Sequence, residues 1–153
     1  MAVKPYSCLV AICFLLLNMP ATATETCSSP DINLTSQDAV DNFQRSYGGA
    51  DQFCEVVSNN LRIANVNNLT NLDGLNKLTR IGGSLEITNN DFGSGSNASN
   101  SLTDITGLKN IESVGNTFEL LANSMLSDCS SVAPLLGYPD GEQYANVGSC
   151  LLY

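Results

Sequence analysis

The most regular feature of the chain is a pattern of apolar and glycine positions that occurs twice, at residues 61–90 and again at residues 94–123. When the first copy is laid on the second, nine positions of the same type coincide at a constant spacing. The matched pairs are Leu69 and Leu102, Leu72 and Ile105, Gly74 and Gly107, Leu75 and Leu108, Leu78 and Ile111, Ile81 and Val114, Gly82 and Gly115, Leu85 and Phe118, and Ile87 and Leu120. A repeat of this period is typical of a solenoid, in which each unit buries its apolar edge against its neighbours.

Short apolar–polar–apolar triplets within the units have the alternating period of a β-strand. The triplets lie at residues 32–34, 61–63, 85–87 and 118–120. They predict about four stacked, short parallel strands whose outward positions are held by Arg62, Glu86 and Glu119. The interval from Leu85 to Phe118 is longer than that from Leu61 to Leu85, so the Gly-, Ser- and Asn-rich stretch 91–101 is interpreted as a loop inserted into one coil.

Between the triplets, apolar residues recur at every third position from Leu69 to Ile81. This spacing suits a turning coil with one inward side chain per bend better than an α-helix of period 3.6. Gly82 and Gly83 follow, and they predict a corner with a positive φ angle or a close backbone approach.

The segment 1–23 has the features of a secretory signal peptide. Lys4 precedes an apolar run at 9–17, and the small residues 21–23 end in an A-x-A pattern. The run is shorter than the roughly 20 residues that a membrane-spanning helix needs. We therefore expect residues 1–23 to be removed, residues 24–153 to form one domain without a membrane span, and the protein to be secreted, extracellular or periplasmic.

Four cysteines remain after this cleavage, namely Cys27, Cys54, Cys129 and Cys150. An even number in an oxidising compartment predicts structural disulfides. Three pairings are possible in principle. The distribution favours Cys27–Cys54 and Cys129–Cys150, because each pair brackets one end of the repeats and a solenoid does not readily bring its two ends together.

Capping elements are expected at both ends, since the open end of a stack is apolar and solubility requires a cap. Ser36 is a good N-cap, acidic residues follow it, and Val40 and Phe43 are spaced for one helix face. A short N-terminal capping helix is therefore predicted. Residues 124–153 are expected to close the other end.

The stretch 69–87, with its leucine spacing and double glycine, resembles the repeat of receptor L domains, and the opening cysteine pair adds to the likeness. The resemblance covers roughly residues 27–150. It implies a right-handed single-stranded β-helix of the leucine-rich type, mostly β, and an extracellular binding or scaffolding role. No cysteine-rich module, transmembrane helix or kinase accompanies the repeat, so receptor signalling is not carried over.

The acidic composition limits the partners. The formal net charge is −9, which makes nucleic acid and anionic membranes poor partners. The chain contains no histidine and no C-x-x-C pair, so no metal site or cofactor is predicted from the cysteines. The loop positions 89–91 and 140–142 carry calcium-type ligands, but neither has the spacing of a known calcium loop.

Three Asn-x-Ser/Thr sequons, at Asn33, Asn68 and Asn97, would accept glycans in a eukaryotic host. In a bacterial host the same residues would be ordinary turn and strand residues, because asparagine also suits the corners of a solenoid.

Three classes of function remain open. The first is a non-catalytic binding module that recognises an extracellular protein or glycan through the inserted loop or through the outward sheet face. That face is expected to carry Arg62, Glu86, Glu119, Thr35 and Thr88. The second is a carbohydrate-active β-helix enzyme, in which Glu86 and Glu119 on adjacent strands would lie about 5 Å apart, near the separation of a retaining glycosidase. The third is a passive structural protein of a surface or cell wall.

The sequence favours the first class. Nothing in it indicates a cleft around the two glutamates, and their predicted strands form a flat face. The protein is therefore expected to be a binding module and not an enzyme.

Overall fold

The computed structural model describes residues 25–27, 30–48, 53–90, 101–136 and 146–147. The expected signal peptide, residues 1–23, lies outside this range. In chain order the elements are β1 (Thr26–Cys27), β2 (Ile32–Leu34), α1 (Gln37–Asp41), α2 (Phe43–Tyr47), β3 (Val56–Val57), β4 (Leu61–Ala64), a 3₁₀ helix (Asp73–Leu75), β5 (Arg80–Ile81), β6 (Leu85–Thr88), a second 3₁₀ helix (Thr106–Leu108), β7 (Ser113–Val114), β8 (Phe118–Leu121), a third 3₁₀ helix (Ser130–Leu136) and β9 (Asn146–Val147).

The strands of the described residues form two parallel sheets, so the protein is mostly β. One sheet has the order β1-β3-β5-β7 and the other has the order β2-β4-β6-β8-β9. From β1 to β8 the chain moves from one sheet to the other at each successive strand. The alternating triplets predicted the longer strands β2, β4, β6 and β8, whereas the segments of the four-stranded sheet were expected to be a turning coil.

The register of the five-stranded sheet places residues of the same type beside each other. Leu61 pairs with Leu85, and Leu85 pairs with Phe118. These side chains and their partners two positions further along are buried, whereas Arg62, Glu86 and Glu119 between them are half-buried. The inward and outward positions predicted for the triplets 61–63, 85–87 and 118–120 are therefore confirmed.

The regularly spaced leucines form the centre of the core. Leu69, Leu72, Leu75, Leu78 and Ile81 are all fully buried. Gly107 lies so close to the preceding stretch that a Cβ atom would overlap the carbonyl oxygen of Leu72. Glycine is needed there because two backbones meet, which is one of its two general uses.

The corner at Gly82 and Gly83 is also explained by close approach, because Gly82 lies against the carbonyl of Ser58. Left-handed backbone occurs instead at Asn65, Asn89 and Ala122, where φ is 56°, 54° and 52°. Each of these residues directly follows one of the longer strands. Asparagine tolerates this conformation better than most residues, since its short amide can hydrogen-bond locally.

The predicted N-terminal capping helix is present as the two short helices α1 and α2. The hydroxyl of Ser36 accepts a hydrogen bond from the backbone N–H of Ala39 at 3.1 Å, which is the N-cap contact that the sequence predicts. Val40 and Phe43 are fully buried in the core. The two helices therefore cover apolar surface, as a cap must.

A third copy of the buried pattern follows the two copies at residues 61–90 and 94–123. Four buried residues define it. Each lies as far along the chain from a buried residue of the second copy as Leu85 lies from Leu61. The pairs are Leu102 and Leu126, Ile105 and Cys129, Leu108 and Val132, and Ile111 and Leu135. A cysteine, a valine and a proline interrupt the leucine pattern of this copy and hide it in the sequence. The core therefore extends further toward the C-terminus than the alignment of two copies indicates.

Candidate functional site

The outer face of the five-stranded sheet carries a row of polar residues, one from each of the strands β2, β4, β6 and β8. Asn33, Arg62, Glu86 and Glu119 are successive partners in the parallel register, and the backbone of Asn146 pairs beside Glu119. Neighbouring strands of a sheet lie about 4.8 Å apart, so the side chains of this row are close enough to interact. The structure thus brings together Arg62, Glu86 and Glu119, the three residues that the sequence predicts as a binding face.

The charged residues of the row differ in their pairing, because Arg62 and Glu86 form an ion pair with each other. The Nε atom of Arg62 donates to Glu86 Oε2 at 3.0 Å, and the two side chains are 44% and 33% exposed. The other carboxylate oxygen of Glu86 accepts a hydrogen bond from the hydroxyl of Thr88 at 3.1 Å. Among the described residues, Glu119 has no hydrogen-bond or ion-pair partner for its carboxylate. Within the part of the chain that the structure describes, Glu119 is therefore the acceptor of this row that is open to an incoming group.

Thr88 differs from its expected role on this face. The sequence places it outward with Thr35, but only 6% of Thr88 is exposed, and its hydroxyl is held by Glu86. Leu121, the register partner of Thr88, is 37% exposed instead. The strand that carries Glu119 therefore also presents an exposed apolar side chain, two positions further along.

Two buried asparagines lie behind the ends of the strands. Asn90 accepts a hydrogen bond from Val66 N at 3.0 Å and donates to the carbonyl of Ile63 at 3.0 Å. Asn123 accepts from Asn90 N at 3.2 Å and donates to the carbonyl of Ile87 at 2.8 Å. These amides satisfy backbone groups of the strand ends and thereby hold the row in register.

The role of the two asparagines was not predicted from the sequence. Their occurrence at the same position of the two repeat copies was a usable signal. The interpretation of residues 89–91 as calcium ligands is weakened, because the amide of Asn90 is buried and occupied by the backbone. The described residues contain no cluster of three or more acidic or cysteine side chains able to hold a metal ion.

The sequons differ in where they lie. Asn33 is exposed in β2, at the start of the row and beside Arg62. Asn68 is exposed with φ of 62°, in the stretch that follows β4. Asn97 and most of the inserted loop, residues 91–100, lie outside the described residues, as do positions 140–142. Glycosylation of the three asparagines stays a prediction.

The cysteines bear on how the ends of the molecule are closed. Cys27 and Cys54 form a disulfide with a Cα–Cα distance of 5.1 Å, and both residues are buried. Cys129 is also buried and disulfide-bonded. Cys150 lies outside the described residues, so the pairing of Cys129 with Cys150 stays a prediction.

No family model, curated protein or solved structure matches this chain. Across the described residues, no helix combines the length and the apolarity that crossing a membrane requires. The class defined by the described residues is a mostly β protein with two parallel sheets, one of which presents a charged outer row.

Proposed function

We propose that residues 24–153 form a right-handed parallel solenoid of the receptor L-domain type and that residues 1–23 are a signal peptide. The alternation of the chain between two parallel sheets supports this architecture, as does the stacking of equivalent positions, Leu61 on Leu85 and Leu85 on Phe118. Parallel crossover connections are right-handed in nearly all proteins, which supplies the handedness. The disulfide Cys27–Cys54 fits export, because disulfides persist in oxidising compartments.

The function that we propose for this solenoid is non-catalytic binding of an extracellular protein or glycan, either after secretion or at the cell surface. The observation that carries the proposal is the row of Arg62, Glu86 and Glu119 on one exposed face, in register on three neighbouring strands. Short, stiff strands present such a row without the entropy cost of ordering a loop, and preorganised groups bind more tightly for that reason.

The chemistry of the row favours a protein partner with basic side chains. The carboxylate of Glu119 is free within the described part of the chain, and Leu121 adds an exposed apolar side chain close by in the same strand. Aromatic side chains, on which sugars stack, do not occupy the described positions of this row. A lysine or arginine beside an apolar residue of the partner would complement both groups.

The two alternative functions, an enzyme and a structural protein, would use the outer face of the five-stranded sheet differently. A retaining glycosidase would use Glu86 and Glu119 as its carboxyl pair, but the row lies on an open sheet face and Glu86 is already bound to Arg62. A passive structural protein of a surface or cell wall would not depend on the sign of any charge in the row. Charge reversal therefore separates binding from the structural role.

The test is the double substitution Arg62→Glu with Glu119→Lys, which leaves the net charge unchanged. Both side chains are partly exposed, so we expect the melting temperature to stay within about 2 °C of that of the wild type, as for ordinary surface substitutions. Attachment of the labelled protein to intact cells of its native host should weaken, chiefly through a slower association rate. Flow cytometry gives the amount bound, and the time course of capture gives the rate.

The matched control is Lys109→Glu with Glu112→Lys, which exchanges two exposed charges outside the row. A second variant lacks residues 92–100, the length by which the longer repeat exceeds the shorter one. If the deletion abolishes attachment and the charge reversal leaves it intact, the inserted loop is the contact and the sheet-face proposal is wrong. If neither change reduces attachment, the structural alternative is favoured.

A further inference from the structure

A second surface feature lies over the four-stranded sheet, away from the charged row of the other sheet. It is an open groove of about 460 Å³, within the range of 300–1,000 Å³ that small-molecule sites occupy. Its lining residues are Thr26, Val56, Ser58, Arg80, Ile81, Gly82, Ser113 and Gly115. Four of them, Thr26, Val56, Arg80 and Ser113, are register partners across the four strands.

Two glycines and two serines are among the residues that line the groove. A Cβ on Gly115 would overlap the carbonyl of Gly82, so the stacking of the chain requires glycine at this position. Beside Arg80 the groove is lined by the small side chains of Ser58 and Ser113. The Cβ positions of Gly82 and Gly115 point at neighbouring backbone and not into the groove, so these glycines let the backbones stack closely beneath it.

Among the described residues that line the groove, Arg80 alone is charged. Its side chain is exposed and, within the same part of the chain, has no hydrogen-bond or ion-pair partner. By contrast, Arg62 is paired with Glu86, and Lys77 lies 5.4 Å from the centre of the Phe53 ring. An unpaired guanidinium in a protein of net charge −9 is thus a local site for an anion. Its planar fork of donors matches a carboxylate in bidentate geometry.

The other groups of the groove restrict what such an anion can be. Thr26, Ser58 and Ser113 are exposed, and in the described part of the chain their hydroxyls have no hydrogen-bond partners. The backbone N–H groups of Gly82 and Gly115 already donate to the carbonyls of Val57 and Ile81, at 2.7 and 2.8 Å, so they offer no free edge to a peptide strand. Val56 is 4% exposed and gives no apolar pocket for a peptide side chain. A compact ligand with one carboxylate and several hydroxyls fits this set of groups best.

We propose that the groove binds a uronic acid unit, with its carboxylate on Arg80 and its hydroxyls on the neighbouring Ser58 and Ser113. This site is independent of the charged row, and it adds a glycan-binding activity to the protein binding proposed above. A chain of net charge −9 repels a densely charged polyanion, so a single carboxylate among neutral hydroxyls suits it better than an acidic peptide.

The experiment is an NMR titration of the isotope-labelled full-length secreted protein with sodium glucuronate. Glucose serves as the uncharged comparison, and a tripeptide of acidic residues serves as the competing class. We expect saturable shifts of the amides of Arg80, Gly82, Ser113 and Gly115 with glucuronate, and at least tenfold weaker effects with glucose and with the peptide.

Two variants test the assignment of the residues. Arg80→Gln should weaken glucuronate binding at least tenfold, whereas Lys109→Gln, which removes an exposed positive charge outside the groove, should leave it unchanged. Ser113→Phe should also block binding, because the ring fills the groove without changing the charge. Both groove residues are exposed, so unchanged melting temperatures are expected and serve as the check of folding.

The proposal is overturned if glucuronate causes no shifts at the groove, if glucose binds as well, or if Arg80→Gln binds as tightly as the wild type. Binding of the acidic tripeptide in preference to glucuronate would also overturn it in favour of a peptide site. The variant Arg62→Glu with Glu119→Lys should retain glucuronate binding, so failure of the row and failure of the groove are distinguishable.

Discussion

The adjacent residues Asn89 and Asn90 lie in opposite environments, the first exposed to solvent and the second buried. Asn89 is exposed and takes the left-handed backbone conformation, whereas Asn90 is fully buried and its amide bonds to the backbone of Val66 and Ile63. The side chain of Asn90 supplies one acceptor and one donor where the strand ends would otherwise leave backbone groups unpaired. Buried polar groups without partners are costly, so this amide stabilises the fold.

Replacement of Asn90 by leucine should lower the free energy of unfolding by at least about 2 kcal/mol, because the buried Val66 N loses its acceptor and Ile63 O loses the hydrogen bond from the Asn90 amide. Asn89→Gly is the matched control, since glycine adopts a positive φ freely and the position is exposed. Chemical denaturation of the two variants gives the comparison. Equal losses would mean that the hydrogen bonds of the Asn90 amide contribute nothing to stability.

Asp128, just before the third 3₁₀ helix, makes the stability of the folded protein depend on pH. Its carboxylate accepts a hydrogen bond from Ser130 N at 2.8 Å, and hydrogen bonds from the backbone and side chain of Ser130 hold the pKa of Asp128 below its ordinary value of 3.8. Since the pKa is lower in the folded state, the unfolded state binds more protons near that pKa. The contribution of Asp128 is therefore complete above about pH 4 and is lost as the pH falls through the folded pKa.

Asp128→Asn keeps an oxygen acceptor for Ser130 but does not titrate. We expect the wild type to be more stable than this variant at about pH 6, and the difference to shrink steadily as the pH falls from about 4 toward 2. Thermal melts across this range measure it. A difference that grows with acid would contradict the lowered pKa.

At the scale of elements, two glutamine side chains of the capping helices satisfy backbone groups of the residues that follow β4 and of a residue just before β3. The Gln37 side chain accepts from Thr70 N at 2.8 Å and donates to the carbonyl of Asn71 at 3.2 Å. Gln44 accepts from Cys54 N at 2.8 Å and donates to the carbonyl of Cys54 at 3.3 Å. On its other side, the backbone of Thr70 is bonded by the next copy, because its carbonyl accepts from Thr103 N at 3.1 Å. The amides therefore close the backbone edge that faces the N-terminal end.

Gln37→Met preserves length and helix propensity but removes these hydrogen bonds. We expect a loss of about 1–3 kcal/mol in the free energy of unfolding, because Thr70 N is left partly buried without an acceptor. Arg45→Gln, an exposed substitution in α2, is the control and should stay within about 0.5 kcal/mol. Hydrogen exchange of the Thr70 amide provides a local readout, and it should accelerate only in the Gln37 variant.

At the scale of the whole molecule, stability depends on how the ends are closed. The disulfide Cys27–Cys54 joins β1 to the residues just before β3 across a sequence separation of 27. The two buried cysteines thereby tie the strand at one edge of the four-stranded sheet to its neighbour. A disulfide acts largely by restricting the unfolded chain, and for a loop of this size the effect is about 3.5 kcal/mol.

The double variant Cys27→Ala with Cys54→Ala should therefore be less stable by about 2–4 kcal/mol, while the outer charged row remains intact. Thermal unfolding measures the loss. Peptide mapping of the wild-type protein without reduction should recover Cys27 linked to Cys54 and Cys129 linked to Cys150. A peptide that links Cys54 to Cys129 would contradict the structure and the closure of each end by its own disulfide.

Much of the fold and part of the site follow from local patterns. The alternation at residues 61–63 and 85–87 predicts strands with Arg62 and Glu86 facing outward, and Ser36 predicts the start of the capping helix. These predictions hold because burial on one face of a strand, and capping of a helix, depend on residues close together in the chain. The mostly β character with parallel strands follows from the same repeat.

Other features could be decided only by the tertiary structure. The short strands Arg80–Ile81 and Ser113–Val114 have too few residues to show a period, and they exist because stacking brings them into hydrogen-bond contact. The glutamine caps and the groove beside Arg80 join residues that lie far apart in the chain, so no local pattern indicates them. The sequence by itself determined the burial of the apolar positions in the repeated triplets and in the leucine series, through the free energy of removing apolar groups from water. The stacking of the copies decided which polar groups meet on the surface, because contact between distant residues depends on register and coil length.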